Sequence, residues 1–421
     1  MSSPILAELV VAIQQEIAGT VRQHENGTLS FAYLPAYQGT PLSLSMPLSN
    51  QEYGDKIVRP YLFGLIPDNY YLRRALGREF GVSADNPFAL LAHIGMDCPG
   101  AVQFFPSDSS TQALGRPARY EPITEQTVGH RLRSIAGNEQ ATWQSPEEHW
   151  SLGGQQSKIA LANFNGQWFS CEGSAATTHI IKPGISTLAH QALNEHLCLR
   201  LATLCGIPAA QSSFQMLDGT GAVVVRRYDR IIADTQQVIR IHQEDFCQAL
   251  GVLPDHKYAN EGGPSARSIA DLLNRQSNSE RNVPLFAAEL FFNYLIGAPD
   301  AHGKNYSVIL TRSDGPLLAP LYDTASGLAY EPPRGGWRLA MGIGGENHVG
   351  KLRRSHIQRF AEAAALQEEI ALNLYANVAQ SILDHLDDIV GEAKELPGGI
   401  ELTQRLAPEI RRLCEKSLSA L

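Results

Sequence analysis

The thirteen residues PLFAAELFFNYLI, Pro284 to Ile296, constrain the fold more than any other stretch. Only Glu289 and Asn293 interrupt the apolar run. They stand four apart, on one face of a helix. A helix apolar on nearly every side has to be buried. Pro284 suits its first turn and Gly297 its end. The chain then reads GAPDAHGKNYS, residues 297–307, with Asp300, His302, Lys304 and Asn305 on one short loop. A rigid buried element that delivers a tight polar loop is where chemistry is expected.

At 421 residues the chain has length for about two or three domains. Its apolar fraction of 43% is ample for large cores. No stretch approaches the roughly 20 apolar residues of a membrane span. The start, MSSPILAELVVAIQQEIAG, has no basic region ahead of its apolar run, so no signal peptide is expected. Six cysteines are scattered without a CxxC pair, which argues against a zinc site or disulfide scaffold and for a reducing cytoplasm. A net charge of −9 gives no bulk signal for nucleic acid. The local cluster Lys351, Arg353, Arg354 and Arg359 reads as a solvated helix face, the alternative being a patch that touches nucleic-acid phosphates.

Residues 1–50 read as short strands with turns, one at Asn26-Gly27. Residues 57–95 read as helix, broken at Pro67-Asp68-Asn69. Residues 107–145 are polar and proline-bearing, which marks a boundary. After it, SLGGQQSKIALANFNGQWFSC reads as a glycine-rich turn between strands, with Asn165-Gly166 closing a hairpin. TTHIIKP is a short strand ending in Lys182, and GAVVVRRYDR is another. Residues 188–204 carry a helical apolar stripe, ended by Gly206 and Pro208. From 265 onward helices dominate, apart from short strands near 306–310 and 317–322. Strands first and helices after make an α+β, two-lobed layout.

Four elements then occur in one order. Glycines in Ser151–Lys158 would let backbone N–H groups approach a phosphate, with Lys158 adding charge; the same pattern suits a plain hairpin turn. Lys182 at a strand end would either snorkel or meet nucleotide phosphates. Glu195, one helix later, would either pair with it or lie solvated. Asp300 and Asn305 have the spacing of a kinase catalytic loop, a carboxylate for the substrate hydroxyl proton and an amide oxygen for magnesium. Asp323, 18 residues after Asn305, ends an apolar run where kinases place a second magnesium ligand. Lys304 or His302 would steady the transferring oxygens. Together these describe a site that cradles phosphates, neutralises them with lysine and Mg²⁺, and takes a proton from a hydroxyl.

The sequence also resembles a known family, the HipA-type serine/threonine kinase toxins of bacterial toxin–antitoxin modules. The likeness runs through PLSLSMPL, FGLIPDN and NPFALLAHIGMDCPGAVQF, then Ser151-x-x-Gly154-x-Gln156-x-Lys158, THIIKP, NEHLCLRLA, RRYDR, HQEDFCQALG, PDAHGKNYS, LYDTAS and GIGGE. It implies a two-lobed protein-kinase-like fold. Residues 1–110 would be an extra N-terminal subdomain, 148–265 the rest of a mainly β N-lobe, and 266–421 a helical C-lobe.

The resemblance implies roles as well. Gly153, Gly154, Gln155, Gln156, Ser157 and Lys158 would form the nucleotide loop, and Lys182 would contact phosphate. Arg226, Arg227 and Tyr228 would lie at the hinge near adenine. Asp300 would be the catalytic base, Asn305 and Asp323 would hold Mg²⁺, and His302, Gly303, Lys304 and Asn305 would also touch ATP. Ser151 matches the family's autophosphorylation site, whose modification ejects the loop; Ser157 offers a second hydroxyl. The implied substrate is an aminoacyl-tRNA synthetase. The implied partner is a helix-turn-helix antitoxin, with operator DNA reached through that complex. The alternative is a catalytically weak kinase fold that serves as an antitoxin-binding corepressor.

Overall fold

The computed structural model describes residues 3–107, 115, 117–137, 148–234 and 236–421. Strands β1 (Ile5–Ile13), β2 (Glu16–His24), β3 (Leu29–Tyr33) and β4 (Val102–Pro106) form one antiparallel sheet in the order β3-β2-β1-β4. The β1–β2 turn is Gln14-Gln15, both left-handed, with φ of 52° and 67°. Helices α1 (Asp55–Leu65), α2 (Tyr70–Phe80) and α3 (Pro87–Ile94) share a core with this sheet through Val11, Phe31, Leu62, Leu91 and Phe104. The expected helix break falls at Pro67-Asp68-Asn69. There the Asn69 side-chain Oδ1 accepts the N–H groups of Tyr71 and Leu72, a cap that contributes about 1 kcal/mol.

A second antiparallel sheet comprises β5 (Ala118–Ile123), β6 (Ile159–Phe164), β7 (Gln167–Gly173), β8 (His179–Lys182), β9 (Ser212–Leu217) and β10 (Thr220–Arg226). Its order is β5-β7-β6-β8-β10-β9. Two expectations are corrected here. The polar stretch 107–145 is more than a boundary: β5 pairs with β7, and α4 (Glu125–Gly137) lays Val128, Leu132 and Ile135 on the sheet. Three apolar side chains among polar neighbours were too dilute a signal. Residues 108–114, 116 and 138–147 of that stretch lie outside the described residues. The glycine segment, in turn, is not a hairpin turn between two strands. Trp150 makes a lone bridge to Asp97, and the Ser151 N–H donates to the Asp97 carbonyl, so the chain reaches β6 along the N-terminal unit instead.

Helix α5 (Gln191–Leu204) packs against β9 and β10. The hairpin β11 (Arg230–Asp234) and β12 (Gln237–Arg240) follows, then β13 (Gln243–Asp245) and α6 (Phe246–Ala249). The helical unit holds α7 (Ala266–Asn274), α8 (Ser279–Leu295), α9 (Arg354–Ala363), α10 (Glu368–Ala393) and α11 (Gly399–Ser419). Within it β14 (Ser307–Ile309) lies between β13 and β15 (Leu317–Leu318), and β16 (Arg338–Ile343) pairs with β17 (Glu346–His348). Helix α8 is the buried element read from the sequence, with Phe286, Phe291, Phe292 and Leu295 in the core. It starts five residues before Pro284, because the polar turn SERN opens it on the Asn278 carbonyl. No helix among the described residues is long and apolar enough to cross a membrane.

Candidate active site

Helix α8 delivers the polar loop through a tight stop. Gly297 is left-handed, with φ of 63°, and the Ala298 N–H reaches back to the Asn293 carbonyl at 2.8 Å. A side chain at 297 would also collide with Leu328. Asn293, one of the two polar interruptions in the helix, ties both flanks of the site together. Its Nδ2 donates to the Tyr306 hydroxyl at 2.8 Å, and its Oδ1 accepts from the Thr324 hydroxyl at 2.7 Å.

The loop opens into a cavity of about 600 Å³ between the six-stranded sheet and the helical unit. The structure brings Asp300, Asn305, Asp323, Lys182, Lys158 and the glycine segment to this one space. A shallower groove of about 920 Å³ lies on the outer face of the sheet, near Trp168 and Gln215, and gathers no comparable set of charges.

Asp300 presents its carboxylate to the cavity with 67% of the side chain exposed. Its Oδ1 accepts the Tyr258 hydroxyl at 2.8 Å. Asn305 donates Nδ2 to the Asp300 carbonyl at 2.8 Å and to the Asp323 carbonyl at 3.3 Å. That leaves the amide oxygen for a cation. Asp323 is left-handed, with φ of 54°, a strained backbone of the kind that functional sites retain.

Lys182 lies between two carboxylates, 2.9 Å from Glu195 Oε1 and 2.6 Å from Asp323 Oδ1. Glu195 is 1% exposed, so the pairing alternative holds and the solvated one does not. Burial alone would lower Lys182, but Asp323 and Glu195 outweigh it and hold the ammonium charged. Burial would raise Asp323; Lys182 and Lys158 reverse this and keep it anionic. An anionic carboxylate beside an amide oxygen is a hard donor pair suited to Mg²⁺, which fills its remaining positions with water and phosphate.

The glycine segment closes the cavity from above. Lys158 Nζ donates to the Gly153 carbonyl at 2.7 Å. Gly154 has φ of 102°, and a Cβ there would fall 2.5 Å from that ammonium. Burial, helped by the Lys182 charge, brings Lys158 down to about 8. Gln156 reaches Gln191 at 3.3 Å, while Gln155 and Ser157 line the opening. Ser151 is 1% exposed and donates its hydroxyl to the Leu65 carbonyl at 2.7 Å.

Several expected contributors sit differently. The Arg227 guanidinium turns away from the cavity into a buried network with Asp97, Asp229, Thr177 and the Cys98 carbonyl. Its charge is therefore not available to adenine. Arg226 is exposed and meets Gln211, and Tyr228 faces the cavity with its hydroxyl on Gln243 at 2.9 Å. Burial lowers His302 to about 4, so its imidazole is neutral and adds no charge to the transferring oxygens. Gly303 is pressed against Pro264. In the basic cluster, Arg354 pairs with Glu368 at 3.6 Å and Arg359 with the Gly344 carbonyl at 2.8 Å.

The sequence reading missed three side chains. Asp68 grips Lys304 at 2.5 Å and Lys257 at 3.4 Å, and Tyr258 holds Asp300. Asp68 read only as helix punctuation, and no local pattern links it to a lysine 236 positions away.

Residues 150–386 match the family described as the HipA-like C-terminal domain, and residues 9–105 match the HipA N-terminal domain. Y4mE of Sinorhizobium fredii, a kinase by name, is 33% identical over 90% of this chain and 91% of its own. The serine/threonine-protein kinase toxin HipA of Shewanella oneidensis is 30% identical over 84% of this chain and 81% of its own. A solved Shewanella oneidensis structure, HipA with HipB and operator DNA, superposes with a TM-score of 0.83 at 26% identity, covering 98% of this chain and 97% of that one. By both family matches and by this likeness, the chain belongs to the HipA family of serine/threonine protein kinase toxins.

Proposed function

We propose that the cavity transfers the γ-phosphoryl group of Mg-ATP to a serine or threonine hydroxyl of another protein, with Asp300 as the base. The observation that carries this reading is the Lys182–Glu195–Asp323 chain of charges facing Asp300 and Asn305 across one cavity. Lys182 and Lys158 bind and orient the phosphates, and Gly153 and Gly154 let backbone approach them. Asn305 and Asp323 hold Mg²⁺, which neutralises the developing phosphate charge when bound. Asp300 Oδ2 accepts the acceptor's hydroxyl proton while Oδ1 stays tethered to Tyr258. Tyr228 and Arg226, which line the cavity, are the proposed neighbours of adenine.

The toxin role follows from the same reading. An aminoacyl-tRNA synthetase is the proposed acceptor, a HipB-like helix-turn-helix protein the proposed antitoxin, and operator DNA is reached through that complex. Ser151 is the proposed site of self-modification. Its hydroxyl faces the Leu65 carbonyl, so a phosphate of roughly −1.5 to −2 charge could not be seated there. The modified loop would have to leave, and the kinase would be silenced.

The test is intact-mass spectrometry of wild type and Asp300→Gln after incubation with Mg-ATP, with transfer to a purified synthetase measured alongside. We expect phosphate on Ser151 and on the synthetase with wild type only. Transfer by a folded Asp300→Gln would remove the base assignment. A wild type that consumes no ATP would leave only the corepressor reading.

A further inference from the structure

The nucleotide loop is seated on the N-terminal unit, and one carboxylate sits at that seat. Helix α1 ends at Leu65, and the following turn projects Asp68 under the loop. The Asp68 N–H donates to the Gly154 carbonyl at 3.1 Å. Its Oδ1 stands 2.5 Å from Lys304 Nζ and its Oδ2 3.4 Å from Lys257 Nζ. The Asp68, Lys304 and Lys257 side chains are only 5%, 6% and 12% exposed. A Cβ at Gly153 would lie 2.7 Å from the Gly64 carbonyl oxygen and 3.3 Å from Lys304 Nζ. The loop therefore lies directly on the end of α1 and over the Lys304 ammonium.

We propose that Asp68 is a positioning residue of the phosphoryl-transfer site: it fixes Lys304 beneath Gly153 as a phosphate-facing cation and closes the glycine loop over it. Lys304 has three N–H donors, and Asp68 takes one. The other two are oriented by that single contact. A lysine is a compact charge on a flexible stem, so its placement depends on such a partner. Asp68 does not touch the reacting atoms. Its side chain acts through Lys304, while its backbone N–H, which any residue there keeps, seats the Gly154 carbonyl. The N-terminal unit thereby becomes part of the kinase site and not only a docking module. Lys257 is the second arm of the grip, and its neighbour Tyr258 holds Asp300, so one short segment joins Asp68 to the base.

This inference rests on the kinase reading above, and the two fail separately. Asp68→Asn, Lys304→Met and the double variant are compared by ADP production from Mg-ATP with the purified synthetase present as acceptor, by Mg-AMPPNP affinity and by melting temperature. We expect each single variant to lose tenfold or more in kcat, with Mg-AMPPNP affinity changed less than threefold. The double variant should be no worse than Lys304→Met alone, because both changes remove one interaction. Should Asp68→Asn fail to fold, Asp68→Glu replaces it. That variant keeps the charge but shifts it by a methylene, and should lower kcat in the wild-type background and not in Lys304→Met. Losses that multiply in the double variant, or a folded Asp68→Asn with full kcat, would overturn the proposal. A wild type that makes no ADP would instead overturn the kinase reading.

Discussion

Lys182 Nζ and Asp323 Oδ1 stand 2.6 Å apart, joining the last residue of a sheet strand to the segment that follows the polar loop of Asp300 and Asn305. The pair links the two lobes across the cavity where phosphates are proposed to bind. Asp323 has a second proposed task, holding Mg²⁺ with Asn305. These tasks give opposite signs for nucleotide with and without metal. A carboxylate facing bare phosphates repels them, whereas one holding Mg²⁺ attracts the complex. Asp323→Asn is therefore expected to weaken Mg-ATP binding tenfold or more, while ATP in excess EDTA binds equally or more tightly. Titration calorimetry reads both. Unchanged Mg-ATP affinity would contradict the metal role.

Tyr258 offers a second test. Its hydroxyl is the group that fixes the otherwise exposed Asp300 carboxylate, at 2.8 Å. Removing the hydroxyl leaves the proposed base free to turn without touching the residues proposed to bind phosphate. Tyr258→Phe is expected to lower kcat about fivefold, roughly 1 kcal/mol, with nucleotide affinity intact. A kcat that rises would mean that the phenol plugs the acceptor's place.

What the sequence made legible followed from short-range physics. Helix α8 could be read because an all-apolar helix has one fate, and Asp300 and Asn305 because five positions suffice to place them on one loop. Lys182 and Glu195 were legible as a strand end and a helix face, but their pairing needed the fold. Long-range electrostatics stayed hidden. Asp68 and Tyr258 are surface-like residue types in polar contexts, and only tertiary structure aims them at Lys304 and Asp300. Arg227 shows the converse: the resemblance puts it near adenine, and it does line the cavity, yet Asp97 and Asp229, brought by distant segments, claim its charge.

Lys158 carries a prediction about protons. Burial and the neighbouring Lys182 charge bring it down to about 8, so near that pH the free protein holds it partly neutral. Phosphates that reach Lys158 stabilise its charged form. Mg-ATP binding at pH 8 is then expected to take up about half a proton, and almost none at pH 6.5, where the amine is already charged. Calorimetry in two buffers of different ionisation enthalpy measures this directly. The uptake should vanish in Lys158→Met. Uptake that persists there would place the titrating group elsewhere, and none at pH 8 would separate Lys158 from the phosphates.

Glu289 is the other polar interruption of helix α8, and it differs from Asn293. It is 1% exposed, its Oε1 has no hydrogen-bond partner, and burial alone lifts its carboxyl well above the ordinary value. In the unfolded chain the group titrates near about 4.3. Above that pH the folded state still holds a proton that the unfolded state has released. Stability is therefore complete below the unfolded value and falls as pH rises, by up to about 1.4 kcal/mol per pH unit. Glu289→Gln keeps the shape and removes the titration. Its melting temperature is expected to exceed that of wild type by a few degrees at pH 8 and to match it near pH 4.5. An equal difference at both values would show that the carboxyl is ionised or partnered in the folded protein.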